Sequence, residues 1–90
     1  MSELVYTIEI QTKAKRQLQT FDKQTQERLS KAVDQLAKNP RPDNCKALRG
    51  FHGIFRIRIG DYRVVYEIKD SELIILVVEI GHRREVYRGL

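Results

Sequence analysis

Apolar and polar residues alternate from Val5 to Ile10 (VYTIEI), the period of two that marks a strand with one buried face. The period then lengthens. Ala14, Leu18 and Phe21 recur at helical spacing behind Thr12, which can cap a first helix. Asp22 offers a second N-cap, and the helix after it gathers Leu29, Ala32, Val33, Leu36 and Ala37 on one stripe. That helix must end before Asn39-Pro40, because proline pushes its predecessor out of the α region. Each helix carries one apolar stripe, so the two are expected to form a hairpin whose stripes are core.

Residues 39–53 (NPRPDNCKALRGFHG) hold both prolines and two of the five glycines, and read as a connecting loop. Alternation returns in Ile54 to Ile59 (IFRIRI), with Phe55, Ile57 and Ile59 on one face and Arg56 and Arg58 on the other. Gly60-Asp61 is a two-residue hairpin turn, and Tyr62 to Ile68 is the return strand. Asp70-Ser71 makes a further turn. Leu73 to Ile80 (LIILVVEI) is apolar on both faces, as a central or doubly covered strand is. Gly81 is expected to end it, leaving a polar tail. The fold class expected is α+β in the order β-α-α-β-β-β. A helix hairpin would pack on one face of a four-stranded, antiparallel-rich sheet, as a single domain over residues 1–90.

Composition narrows the setting. Residues 1–10 include Glu3 and Glu9 and lack a basic start, so no signal peptide is expected. The longest apolar run, Leu73 to Val78, falls far below the ~20 residues that span a bilayer. Cys45 is the only cysteine, which excludes an internal disulfide and a thiolate metal cluster. A cytoplasmic protein without membrane contact is the expectation, with Cys45 a reduced loop thiol. Net charge is +5, a modest excess that says little alone. Its distribution says more. Residues 1–45 carry five lysines and three arginines, whereas residues 46–90 carry two lysines and seven arginines. Arginine makes planar, bidentate phosphate contacts that lysine cannot, so the strand-rich half is where a site is expected.

A two-residue turn at 60–61 sets Ile59 opposite Tyr62 and therefore Arg58 opposite Arg63, with Arg56 diagonal to Arg63 on the same face. Like charges directly opposite each other destabilise a strand pair. A patch that keeps three such cations is expected to meet a polyanion. The competing reading is a solvated charged face neutralised in part by Glu67 or Glu79; Glu79 faces Arg63 in one register of the last hairpin and not in the other. Past Gly81, the residues His82, Arg83, Arg84, Glu85, Val86 and Tyr87 would be delivered to the sheet rim beside this patch. Together these groups match what RNA cleavage without metal requires. A 2′-hydroxyl must lose a proton, the phosphoryl oxygens need cations, and the departing 5′-oxygen needs a proton. The carboxylate spacing of a two-metal nuclease is missing, so no metal is expected.

The segments Lys46-Ala47-Leu48-Arg49-Gly50, Phe55 to Ile59, Gly60 to Tyr66 (GDYRVVY) and Ile80 to Tyr87 (IGHRREVY) together resemble the RelE branch of the RelE/ParE toxins. Each segment is weak alone and specific in combination, and the element order matches over nearly the whole chain. The resemblance implies a microbial-ribonuclease-type fold. It also implies a toxin of a type II toxin–antitoxin system, an mRNA interferase that cleaves mRNA in the ribosomal A site with no cofactor and so inhibits translation. By position, Arg56 and Arg58 match the two basic residues facing the scissile phosphate, and Arg63 the phosphate-stabilising arginine. Arg83 matches the arginine near the leaving group, Tyr87 the tyrosine near the attacking 2′-hydroxyl, and Arg49 a basic residue at the margin. Some relatives have lysine at positions 56 and 58. Arginine, with a pKa above ~12, cannot serve as a general base. Base duty then falls on Tyr87 or His82, or is dispersed over the ribosome-bound geometry, with His82 serving either for proton transfer or for hydrogen bonding.

Lys13, Lys15, Lys23 and Lys31 on the helices are expected to dock on ribosomal RNA. An exposed cationic groove also recruits an acidic, partly disordered segment. The resemblance makes that segment a RelB-like antitoxin, with operator DNA reached only through the toxin–antitoxin complex. Three other readings stay open: a ParE-like DNA gyrase inhibitor of the same fold, a nonenzymatic nucleic-acid-binding module, and an inert homologue.

Overall fold

A computed structural model describes residues 5–82. Within them the chain forms β1 (Thr7–Ile10), α1 (Thr12–Gln19), α2 (Lys23–Gln35), β2 (Cys45–Ala47), β3 (Ile54–Ile59), β4 (Tyr62–Lys69) and β5 (Ile74–His82). The sheet runs β1-β5-β4-β3-β2, with β1 parallel to β5 and the other neighbours antiparallel. The α+β class and the helix hairpin are as expected, but the sheet has five strands where four were expected. The fifth is β2, drawn from the segment read as loop. It is three residues long and mostly exposed, too short for alternation to show.

The helices form largely for the reasons the sequence offers. Asp22 caps α2 by accepting a 3.1 Å hydrogen bond from the Thr25 amide, which satisfies one of the free donors of the first turn. Hydrogen bonds from Thr25, side chain first and amide second, also hold the Asp22 carboxyl below the usual carboxylate range. Thr12 is not a cap: it is the first helical residue of α1, and Gln11 precedes it without a side-chain capping bond. Ala14 of α1 and Leu29, Val33 and Leu36 around α2 are buried against Ile57, Tyr66 and Val77 of the sheet. Each large apolar side chain so buried contributes roughly 1.5–3 kcal/mol. No helix among the described residues is long and apolar enough to cross a membrane.

The β3–β4 hairpin has the expected register, Ile59 opposite Tyr62 and Arg58 opposite Arg63. Gly60 supplies the positive φ of +60° that opens such a turn. The β4–β5 pairing departs from expectation in two ways. The strand begins at Ile74, one residue after Leu73, and runs through Gly81 to His82, so Gly81 does not end it. A bulge also interrupts the ladder, because Val65 pairs with Glu79 while Tyr66 pairs with Val77, leaving Val78 as an extra residue. Ile75 and Val77 face the core before the bulge, and Ile80 faces it after, so the inward parity of β5 changes from odd to even.

Candidate functional site

The sheet face away from the helices gathers basic residues from three adjacent strands. Arg58 lies opposite Arg63, Arg56 opposite Val65, and Lys46 of β2 opposite Arg56. Since the bulge resets β5, Gly81 lies opposite Arg63 and Glu79 opposite Val65 on this same face. The face is graded in depth. Arg63 is 2% exposed and Val65 fully buried, Arg56 is intermediate, and Arg58 and Lys46 are exposed. Arg63 therefore has a guanidinium on one flank and a glycine, with no side chain to crowd it, on the other.

Of the two carboxylates offered by the sequence as neutralising groups, Glu67 lies on this face opposite Ile54, two residues along β4 from Val65, and Glu79 is already engaged. Glu79, whose side chain is 7% exposed, receives a 2.6 Å ion pair from Lys13, which reaches it from the first turn of α1 just past the end of β1. One turn on, the side-chain carbonyl of Gln17 accepts a 2.8 Å hydrogen bond from the Ile80 amide. Gln17 thus continues the edge of β5 where β1 has run out, and α1 is pinned to the strand by two polar contacts. Glu79 faces Val65 and not Arg63, which settles the two registers left open by the sequence.

On the outer side, Asn44, Lys46, Arg56 and Arg58 line an open depression of about 190 Å³. Asn44 donates a 3.1 Å hydrogen bond to the Arg58 carbonyl and holds the segment before β2 against the end of β3. Among the described residues, no three His, Cys, Asp or Glu side chains gather as a metal-binding group. What the arrangement can do is place several positive charges, one deeply buried, around a polyanion.

The structure brings Arg56, Arg58 and Arg63 together as the sequence predicts. It does not bring His82 to them. His82 pairs with Tyr62, and its ring meets the Tyr62 ring edge-on at 5.7 Å while Phe21 packs on the same tyrosine at 5.0 Å. The parity change at the bulge is the cause: it turns His82 to the helix side and Gly81 to the arginine side. Lys15, Lys23 and Lys31 are exposed on the helical layer across the sheet, whereas Lys13 is bound to Glu79 and is not a free docking lysine. Arg49 is exposed in the turn after β2, and Arg83 and Tyr87 lie outside the described residues. Tyr66 is fully buried on the helix side, its hydroxyl donating 2.7 Å to the Pro40 carbonyl, and burial pushes its pKa well above the usual tyrosine value. It is no candidate base.

Sequence reasoning missed Lys46, Asn44 and Gln17 as parts of this region, and it named Glu79 without its partner Lys13. Lys46 could have been found by extending the β3 pairing back across the 48–53 turn. Glu79 depended on the bulge.

The chain matches the family model described as the ParE toxin of the type II toxin–antitoxin system parDE over residues 8–87. It is 31% identical over 80 residues to a RelE-like toxin protein of Escherichia coli, covering 87% of this chain and 83% of that one. It is 26% identical over 88 residues to the mRNA interferase toxin RelE of Escherichia coli K12, covering 93% and 92%. Among solved structures it is similar to the Mycobacterium tuberculosis toxin–antitoxin complex RelBE2, with TM-score 0.80, 26% identity, and coverage of 91% of this chain and 95% of that one. The archaeal RelE–RelB complex of Pyrococcus horikoshii gives TM-score 0.78 at 26% identity, covering 88% and 96%.

Proposed function

The chain belongs to the RelE/ParE family of type II toxin–antitoxin toxins, and from that premise we propose that it is a ribosome-dependent endoribonuclease that cleaves mRNA in the A site. The observation that carries this reading is the cross-strand stack of Arg58 and Arg63, flanked by Arg56 and Lys46, on one sheet face. A binding surface could spread its cations; a pair held directly opposite, one partner buried, concentrates charge where a pentavalent phosphoryl group would develop it. Relatives named mRNA interferases support the same reading.

In the proposed step the 2′-oxygen attacks the adjacent phosphorus and the P–O5′ bond breaks. The 2′-hydroxyl proton leaves, the 5′-oxygen gains one, and a 2′,3′-cyclic phosphate and a 5′-hydroxyl result. Arg56, Arg58 and Arg63 stabilise the phosphoryl oxygens. Arginine cannot take the proton, and His82 faces the other side of the sheet, so base duty falls on Tyr87, with Arg83 at the leaving group. A tyrosine is a weak base near neutral pH, so positioning by the ribosome supplies much of the rate. The partner that restrains this activity is a RelB-like antitoxin, as the RelB–RelE complexes among the structural neighbours support.

The test is single-turnover cleavage of mRNA on programmed ribosomes. Cleavage in the A-site codon is expected, and Arg83→Ala and Tyr87→Phe should each slow it by roughly 10²–10³, the effect of losing one transition-state contact. The ParE description of the matching family model favours a second reading, inhibition of DNA gyrase. Loss of supercoiling activity with intact mRNA would establish it and overturn the first.

A further inference from the structure

We infer that Gln17 is a positioning residue of the cleavage reaction: its side chain stands in for a strand that has ended, and holds β5 in the register that sets Gly81 against Arg63. The reaction is that of the ribonuclease reading, whereas the hold on β5 stands on hydrogen bonds alone. Successive residues of a strand direct their backbone groups to opposite neighbours. Up to the bulge the odd-numbered residues serve β1: the carbonyls of Leu73 and Val77 accept from the Thr7 and Gln11 amides at 2.8 and 2.9 Å. After it an even-numbered residue does, for the Ile80 amide donates 2.8 Å to the Gln17 side-chain carbonyl. β1 pairs no further than Ile10 with Val77, and the chain has by then turned into α1. Ile80 is 1% exposed, so without Gln17 its amide would lack both a strand and water.

The bond is compatible with only one parity of β5. In an unbulged strand the Ile80 amide would point to β4, and Ile80 itself would stand opposite Arg63, a branched side chain in place of Gly81. The apolar run from Ile74 to Val78 cannot make that choice, since its residues suit either face. α1 makes it, with two residues one turn apart. Gln17 holds the backbone at Ile80, and Lys13 holds the Glu79 side chain that the same parity sends to the arginine face. Gln17 thus belongs to the helix layer and acts on the arginine face through β5.

The test compares Gln17→Met, which keeps the length of the side chain and deletes the acceptor, with Gln17→Glu, which keeps an acceptor oxygen. On the full chain, nuclear magnetic resonance follows exchange of the Ile80 amide and the cross-strand contact between Arg63 and Gly81. Single-turnover cleavage is measured on programmed ribosomes. Gln17→Met should speed Ile80 exchange and weaken the Arg63–Gly81 contact. It should also lower the saturated rate by about 10- to 100-fold, the scale on which small misplacements of reacting groups act. The half-saturating concentration should stay at the wild-type value, and Gln17→Glu should restore exchange, contact and rate. An unchanged saturated rate in Gln17→Met overturns the proposal, as does an equal loss in Gln17→Glu. A lower urea midpoint with the Arg63–Gly81 contact intact would overturn it too, making Gln17 scaffold only. If the wild type cleaves no RNA while Gln17→Met still loosens the Arg63–Gly81 contact, the ribonuclease reading fails and the hold on β5 stands.

Discussion

Lys13 and Glu79 form a 2.6 Å ion pair with unequal ends, the lysine side chain 58% exposed and the glutamate 7%. Truncating the lysine leaves a nearly buried carboxylate without that partner. A pair between the exposed and the buried extremes is expected to be worth about 1–2 kcal/mol, so Lys13→Ala should lower the urea midpoint accordingly. Alanine at Lys15, Lys23 or Lys31 should leave stability within about 0.5 kcal/mol and flatten only the salt dependence of ribosome binding. Equal stability for all four variants would show that the pair contributes nothing.

Arg58→Gln removes a like-charge neighbour of Arg63 and leaves strand packing intact. Arg58 is exposed, and no carboxylate among the described residues pairs with it. We expect an unchanged or higher urea midpoint together with loss of most toxicity in a growth assay without antitoxin. Destabilisation by more than about 1 kcal/mol would mark Arg58 as scaffold.

Acid should loosen the fold at two identifiable places. The Asp70 carboxyl is held below its ordinary range by hydrogen bonds from Arg41 at 3.0 Å and from Tyr6 at 2.6 Å, and that of Asp22 by Thr25. A depressed folded-state pKa contributes stability that is complete above the unfolded value and lost as pH falls through the folded one. Stability should therefore decline below about pH 4. Asp70→Asn should make that decline shallower, which urea midpoints taken across the acid range would detect.

Tyr66→Phe keeps the ring and deletes the hydroxyl that satisfies the Pro40 carbonyl. The expected cost is about 1 kcal/mol. Burial raises the Tyr66 pKa in the folded state, so the unfolded chain ionises first and stability should fall as pH rises beyond about 10. The phenylalanine variant should show a weaker alkaline decline, readable by thermal unfolding at high pH.

Much of this was legible in the sequence because local chemistry decided it. Gly60-Asp61 fixes the β3–β4 register, and with it Arg58 against Arg63. Asp22 caps α2, and Leu29, Val33 and Leu36 form its buried stripe. What was hidden lies where local signals are silent. β2 is three residues of an edge strand, specified by its pairing with β3 more than by its own pattern. In β5 an unbroken apolar run fits both faces, so nothing in LIILVV marks Val78 as the extra residue. The placements of Glu79, Gly81 and His82 all followed from that one unseen feature.

The bulge at Val78 behaves like a single-letter insertion in a two-letter code. Every side chain after it in β5 is read in the opposite frame from those before it, although no hydrophobic residue has changed. If the bulge were ironed out with Val78 taken into the ladder, the original frame would continue. Glu79 would turn toward the helix side, beneath the apolar stripes, and Ile80 toward the arginines. An acidic group buried in the core and an isoleucine among cations would then cost far more than one residue left out of the ladder. The cationic face is thus maintained by the count of residues between two apolar anchors, Val77 and Ile80, as much as by the arginines themselves.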